Sequence, residues 1–215
     1  MNKNSKSVLL VLIVSLISFF LIQIVYKTIQ TGNNITKSGD DLIENILNIS
    51  SYEAELEVKI NSNKTTNKYL LHQYHISPNL SKQIVKEPSN IEGLEIIYNG
   101  NKLEIKNTNL GLSKIYENYT YLNGNMLWLN FFIESCNTNK YRVDETENDV
   151  ILNAKIGENN GKLYISKKTN LPTKIEILDN SNQAKIYIEY KEIKLNNIQE
   201  NNIFAFSTKD IKKEV

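Results

Sequence analysis

From Tyr52 to Ile60 the chain alternates without error, with Tyr52, Ala54, Leu56, Val58 and Ile60 on one side and Glu53, Glu55, Glu57 and Lys59 on the other. Successive side chains of a strand point to opposite faces, so a period of two specifies a strand with one buried and one wet face. The pattern recurs along the chain. Asn61–Asn67 is polar turn material, and Lys68–Ile76 reads as the antiparallel partner, ended by Ser77-Pro78-Asn79. Leu80–Lys86 is a third, weaker strand. Leu94–Tyr98 and Lys102–Ile105 flank Asn99-Gly100, a dipeptide suited to the positive φ angles of a type I′ turn. Further on, Val150–Ile156 and Lys162–Ser166 flank the turn Gly157–Gly161. Lys174–Leu178 follows Leu171-Pro172-Thr173, and Ala184–Leu195 follows the turn Asp179–Asn182. Successive hairpins predict an α+β chain, mainly antiparallel β, in which a curved meander is covered on one face by short helices.

Two helices supply that cover. Asp40 and Asp41 lead into Leu42, Ile43, Ile46 and Leu47, a helical i, i+3, i+4 pattern with acids in the first turn, where the macrodipole favours them. This predicts a short amphipathic helix over Asp40–Asn48. Asn125–Cys136 is apolar without alternation and reads as a buried helix. Its aromatic residues Trp128, Phe131 and Phe132 have two readings: core packing, or the lid and lining of a cavity for an acyl chain. Asn107–Tyr121 is expected to be irregular, because its apolar residues follow no clean period.

Before the domain lies Val8–Val25, an apolar run with Lys3 and Lys6 ahead of it. A run of about 18 apolar residues can cross a hydrocarbon core roughly 30 Å thick, and no small-residue cleavage site follows. The expected organisation is a signal anchor over 1–29, a flexible tether over 30–39, one domain over 40–207 and a charged tail over 208–215. A cleaved signal peptide is the alternative. Both place the domain outside the cytoplasm, and the basic N-terminus favours an N-in orientation in the cell membrane.

The formal charge of +1 comes from intermixed Lys and Glu without a basic cluster, so a nucleic-acid partner is not expected. The single cysteine, Cys136, allows no intramolecular disulfide, and the fold must be held by its core. At the end of an apolar helix it reads as a small buried hydrophobe; no neighbouring motif supplies the base a nucleophile needs. His72 and His75 are the only histidines. Three positions apart on a strand they face opposite sides and cannot converge on one ion, so two half-exposed sheet histidines are expected and no metal. Glu53, Glu55 and Glu57 form an acidic strand face, read as solvated or as a surface for a basic partner. The chain has no phosphate-binding loop, dinucleotide turn, nucleophile elbow or zinc spacing. Neither a catalytic residue nor a cofactor is expected, and the chain does not read as an enzyme.

The order of elements resembles the LolA/LolB-like lipoprotein-carrier fold across nearly the whole exported domain. The residues that carry the likeness are Tyr52–Ile60, His75-Ile76-Ser77-Pro78-Asn79, Ile97-Tyr98-Asn99-Gly100-Asn101-Lys102-Leu103, Leu171-Pro172-Thr173-Lys174 and Asn202-Ile203-Phe204-Ala205-Phe206. Within that group the chain looks most like the clostridial spore-germination lipoprotein GerS and its relatives. The resemblance implies an incomplete, half-open β-barrel curled around a helical lid, and a non-catalytic partner of an N-acetylmuramoyl-L-alanine amidase of the CwlD type. That amidase makes muramic-δ-lactam in spore cortex peptidoglycan, which would place the domain between the spore membranes. The chain departs from the lipoproteins in one respect: Phe19-Phe20-Leu21 and the residues beyond lack a lipidation cysteine. Anchoring through residues 8–25 is therefore expected instead. A lipid or lipoprotein carrier or sensor is the alternative function. A homodimer is compatible with the sequence but not derivable from it.

Overall fold

The computed structural model describes residues 39–62, 64–119, 126–179, 181, 183–198 and 202–205. The expected anchor, most of the tether and the charged tail lie outside them, and no helix among the described residues is long and apolar enough to cross a membrane. Helix α1 spans Gly39–Leu47. The strands β1 (Ser51–Asn61), β2 (Thr66–Ile76), β3 (Leu80–Glu87), β4 (Leu94–Asn99), β5 (Leu103–Asn107) and β6 (Leu112–Tyr116) follow. Helix α2 (Leu129–Thr138) leads to β7 (Arg142–Glu145), β8 (Asp149–Ile156), β9 (Asn159–Ser166), β10 (Pro172–Leu178) and β11 (Ala184–Leu195).

All the strands join one antiparallel sheet of 11 strands in the order β6-β5-β4-β3-β2-β1-β11-β10-β9-β8-β7. Each half is a meander, and pairing of β1 with β11, from Tyr52 opposite Leu195 to Ile60 opposite Ile186, joins the halves. Among the described residues β6 and β7 are left as the two free edges. Register shifts at Glu55/Leu56, Leu70/Leu71, Pro172/Lys174 and Ile177/Leu178 add local twist, which curls a sheet of this width. The connection between the two edges contains α2, so the sheet is left unclosed and its inner face is covered by helix.

The inward residues of β1, Tyr52, Ala54, Leu56 and Val58, are buried as the alternation predicts. They join Leu152, Ile156, Leu163, Ile165, Ile175 and Ile188 in one core with Leu42, Ile43 and Ile46 of α1 and Leu129, Phe132, Ile133 and Cys136 of α2. Gly161 makes the docking of α2 this close. A Cβ at 161 would stand 2.9 Å from Phe132 Cε2 and would collide with the Ile156 side chain. Gly161→Val is therefore expected to cost about 1–3 kcal/mol by overpacking, read as a lower urea midpoint. An unchanged midpoint would mean that the helix does not rest on this strand.

Three details differ from the sequence expectations. The Asn107–Tyr121 segment, expected to be irregular, contains β6, and β7 was not anticipated at all. Every residue of β7 is exposed, as are four of the five of β6. A strand with no buried face carries no hydrophobic period to read. The β4–β5 turn sits one residue later than Asn99-Gly100. Asn99 pairs with Lys102 through its own N–H (3.2 Å to the Lys102 carbonyl), its side chain accepts the Lys102 N–H at 3.1 Å, and only Gly100 takes a positive φ, +88°. That is the requirement of a type II′ turn over Gly100-Asn101. The second helix begins at Leu129 and not at Asn125, with Trp128 in the N-cap position.

Candidate functional site

The lid residues named from the sequence divide between core and surface. Trp128 and Phe132 are buried, at 3% and 2% exposure, and with Leu129 and Ile133 they fill the space between α2 and the sheet. Phe131 is half-buried and borders a cavity of about 140 Å³. His75, Ser81, Tyr98, Asn130 and Glu134 also line it, which makes it a polar space. Cys136 is buried on the core side of α2, and burial pushes its thiol up to about 12. A thiol held protonated there is no nucleophile at neutral pH.

The inner face of β2 and β3 changes from apolar to polar. Gln73 is completely buried; its Nε2 donates to Gln83 Oε1 at 2.9 Å and to the Leu127 carbonyl at 3.2 Å, and its Oε1 accepts from the Tyr52 hydroxyl at 3.3 Å. These bonds tie the start of the lid to the sheet. A buried amide left without partners would be costly, so the network specifies where residue 127 must sit. Sequence reasoning missed Gln73, Ser81 and Gln83. A readable signal existed: Gln73 and His75 are in phase with Leu71, on the face that the alternation of β1 assigns to the core.

The two histidines face opposite sides, as a strand requires. His72 Nε2 lies 3.0 Å from Glu53 Oε1 on the outer face, and its ring stacks on Tyr74 with centroids 4.5 Å apart. His75 departs from the expected half-exposure: it is only 2% exposed, hydrogen-bonded through Nδ1 to Ser81 Oγ at 3.0 Å, with the Tyr52 ring 5.6 Å away. The cause is the lid, which covers this end of the inner face. Burial drives the His75 pKa down to about 4, so the ring is neutral at physiological pH.

Glu53, Glu55 and Glu57 line the outer face of β1, near the middle of the sheet. Their surroundings are mixed in charge. Glu57 pairs with Lys59 at 2.7 Å and with Lys191 at 3.8 Å, and its hydrogen bond to Lys59 holds its carboxyl below the usual range. Glu53 is engaged by His72, while Glu55 is exposed. Exposed pairs of this kind contribute little to stability. No group of three or more His, Cys, Asp or Glu side chains able to hold a metal occurs among the described residues.

Comparison with solved structures returns this fold. A conserved protein from Thermus thermophilus is 13% identical with a TM-score of 0.53, over 81% of this chain and 96% of that one. The GerS lipoprotein of Clostridioides difficile, solved with the CwlD amidase, is 24% identical with a TM-score of 0.46, over 71% and 91%. A LolA superfamily protein from Nitrosomonas europaea is 13% identical with a TM-score of 0.40, over 78% and 97%. The unclosed antiparallel sheet with its helical cover is a fold shared with the Thermus protein. No curated protein sequence matches the chain. The profile of the family described as sporulation protein YdcC-like matches residues 6–204, nearly the full length, and the chain belongs to that family.

Proposed function

We propose that this chain is a membrane-anchored, non-catalytic binding protein that holds a cell-wall amidase in place while spore cortex peptidoglycan is modified for germination. The filled interior carries this reading. Leu129 and Phe132 lie fully or almost fully buried between helix and sheet, and the cavity beside Phe131 is polar, whereas a carrier of acyl chains needs apolar space there. With the inside occupied by the protein's own side chains, the surfaces free for recognition are the sheet edges and the outer face. Membership of a sporulation family supplies the setting. The choice of partner class is supported by the likeness to GerS, a protein solved in complex with the CwlD amidase. Anchoring through residues 8–25 would keep such a dock stationary at the membrane, with the domain outside the cytoplasm.

The test is co-purification of the full-length chain, in detergent, with amidases of the same organism. Recovery of one amidase as a stoichiometric complex is expected. Full amidase activity in spores that lack this protein would remove the proposal, and native mass spectrometry showing a bound acyl lipid would favour the carrier alternative.

A further inference from the structure

The free edge at β7 lies between two concavities of opposite character. On the outer face, a cavity of about 690 Å³ is bordered by Lys140, Arg142, Lys155 and Lys162 together with Asn153 and with Tyr141, which borders both concavities. Arg142 pairs with Asp144 at 3.3 Å, and Asn153 Nδ2 donates to the same carboxylate at 3.0 Å. Lys140, Lys155 and Lys162 have no ion-pair partner among the described residues. Asp144 is taken up by Arg142 and Asn153, and Glu176, opposite Lys162 across the strands, by Lys174, so in a chain of net charge +1 the three lysines are a local excess of positive charge. On the inner face, a groove of about 320 Å³ separates β7 from α1. Ile43, Leu47, Tyr141 and Val143 give it an apolar floor, and Asp40 and Glu44 stand at its rim. Tyr141 and Val143 are each 38% exposed.

The geometry points to β7 as the docking edge for an extended acidic peptide of a protein partner, one in which carboxylates alternate with apolar residues. The inference deepens the binding-protein reading and rests on it. Among the described residues β7 is paired only with β8, so its outer side presents backbone N–H and C=O groups with no strand beside them, the template that strand addition uses. Side chains of an added strand point alternately to the two faces. Those on the outer face meet the lysine cavity, and those on the inner face meet Tyr141 and Val143. Asp40 and Glu44 repel an acid from the inner groove, so charge complementarity on both faces selects the same phase. A polyphosphate or a phospholipid headgroup would satisfy the cations but use neither the backbone edge nor the apolar groove. Neither residues 1–38 nor the tail 206–215 carries alternating acids of this kind. Residues 1–38 contain no Asp or Glu, and the acids of the tail, Asp210 and Glu214, are four apart and flanked by lysines.

Binding is tested by fluorescence anisotropy of a fluorescein-labelled octapeptide alternating glutamate with valine and threonine, added to the full-length chain in dodecylmaltoside. Saturable binding that weakens as sodium chloride is raised is expected. The double variant Lys155→Glu with Lys162→Glu should weaken it by about tenfold or more, since it reverses two of the four charges. Lys59→Glu, on β1, should leave it unchanged. Equal affinity for a peptide of the same composition with its glutamates in one block, or for a backbone N-methylated version, would overturn strand addition. Equal affinity for polyphosphate would reduce the cavity to general anion capture and also overturn it, as would wild-type binding insensitive to salt or no binding at all. The outcome separates from the parent reading. An amidase that still co-purifies when the peptide does not bind removes β7 as the dock alone; peptide binding without any amidase removes the amidase reading alone.

Discussion

Phe132→Ala is expected to lower the stability of the domain by about 3–5 kcal/mol, the range for truncating a buried aromatic side chain. Phe132 is 2% exposed, and its ring edge lies against the bare backbone of Gly161. Neighbouring side chains cannot fill the space it leaves. Gly161 has no side chain to offer, and Ile156, Leu152 and Leu163 are fixed in position by the strand ladder. The lost transfer energy is then joined by a cavity term. Phe132→Leu keeps most of the volume and should cost about 1.5 kcal/mol or less, the range for conservative exchanges of core hydrophobes. Urea denaturation followed by the fluorescence of Trp128, the only tryptophan of the chain, measures both. The reporter is well placed, because Trp128 is buried at the start of the same helix. A Phe132→Ala variant within about 1 kcal/mol of wild type would show that α2 is not anchored through this ring.

The second large effect is a loss of stability on mild acidification, carried by His75. Its folded-state pKa is held at about 4 by burial, against 6.5 for the unperturbed side chain. The unfolded chain therefore takes up the proton first. The stability is intact above about pH 6.5, declines as the pH falls and is fully lost below about pH 4. The complete difference is about 3 kcal/mol, of which about 2 kcal/mol has gone by pH 5. The Leu80 backbone hydrogen bond favours a charged ring, but burial outweighs it; the other neighbours are the Ser81 hydroxyl and the Tyr52 ring, and Glu134 is the carboxylate that shares the cavity. The quantity to measure is the difference in urea midpoints between pH 7 and pH 5 for the wild type and for His75→Gln. The variant should lose most of that difference whatever its absolute stability. An equal difference in both proteins would assign the acid sensitivity to carboxylates.

Where one face of an element is buried and the other wet, its period survives in the sequence and the element can be read. This holds for β1, whose alternation matches the observed burial, and for α1, whose Leu42, Ile43 and Ile46 are the residues that enter the core. At β6 and β7 nothing is buried and the period vanishes, so the two edges of the sheet were not legible. The turn at Gly100 shows a finer limit. The dipeptide announces a hairpin, but its position by one residue depends on the Asn99 side chain capping Lys102 N–H. The acidic residues of β1 were visible as a row, and Lys59 beside Glu57 with them, whereas the partners His72 on β2 and Lys191 on β11 are set by strand pairing.

By itself, then, the amino-acid order determined the antiparallel class, the central strand, the two covering helices and the absence of a converging histidine pair, because each follows from local periodicity. Tertiary structure alone decided that β1 pairs with β11, that His75 and Gln73 lie under the lid and that the helix fills its own cavity with Phe132 over Gly161. It also brought Lys140 and Arg142 together with Lys155 and Lys162 from neighbouring strands. These features depend on which distant segments meet. Burial and charge density are properties of that meeting, and the local period of a segment does not report what lies against it.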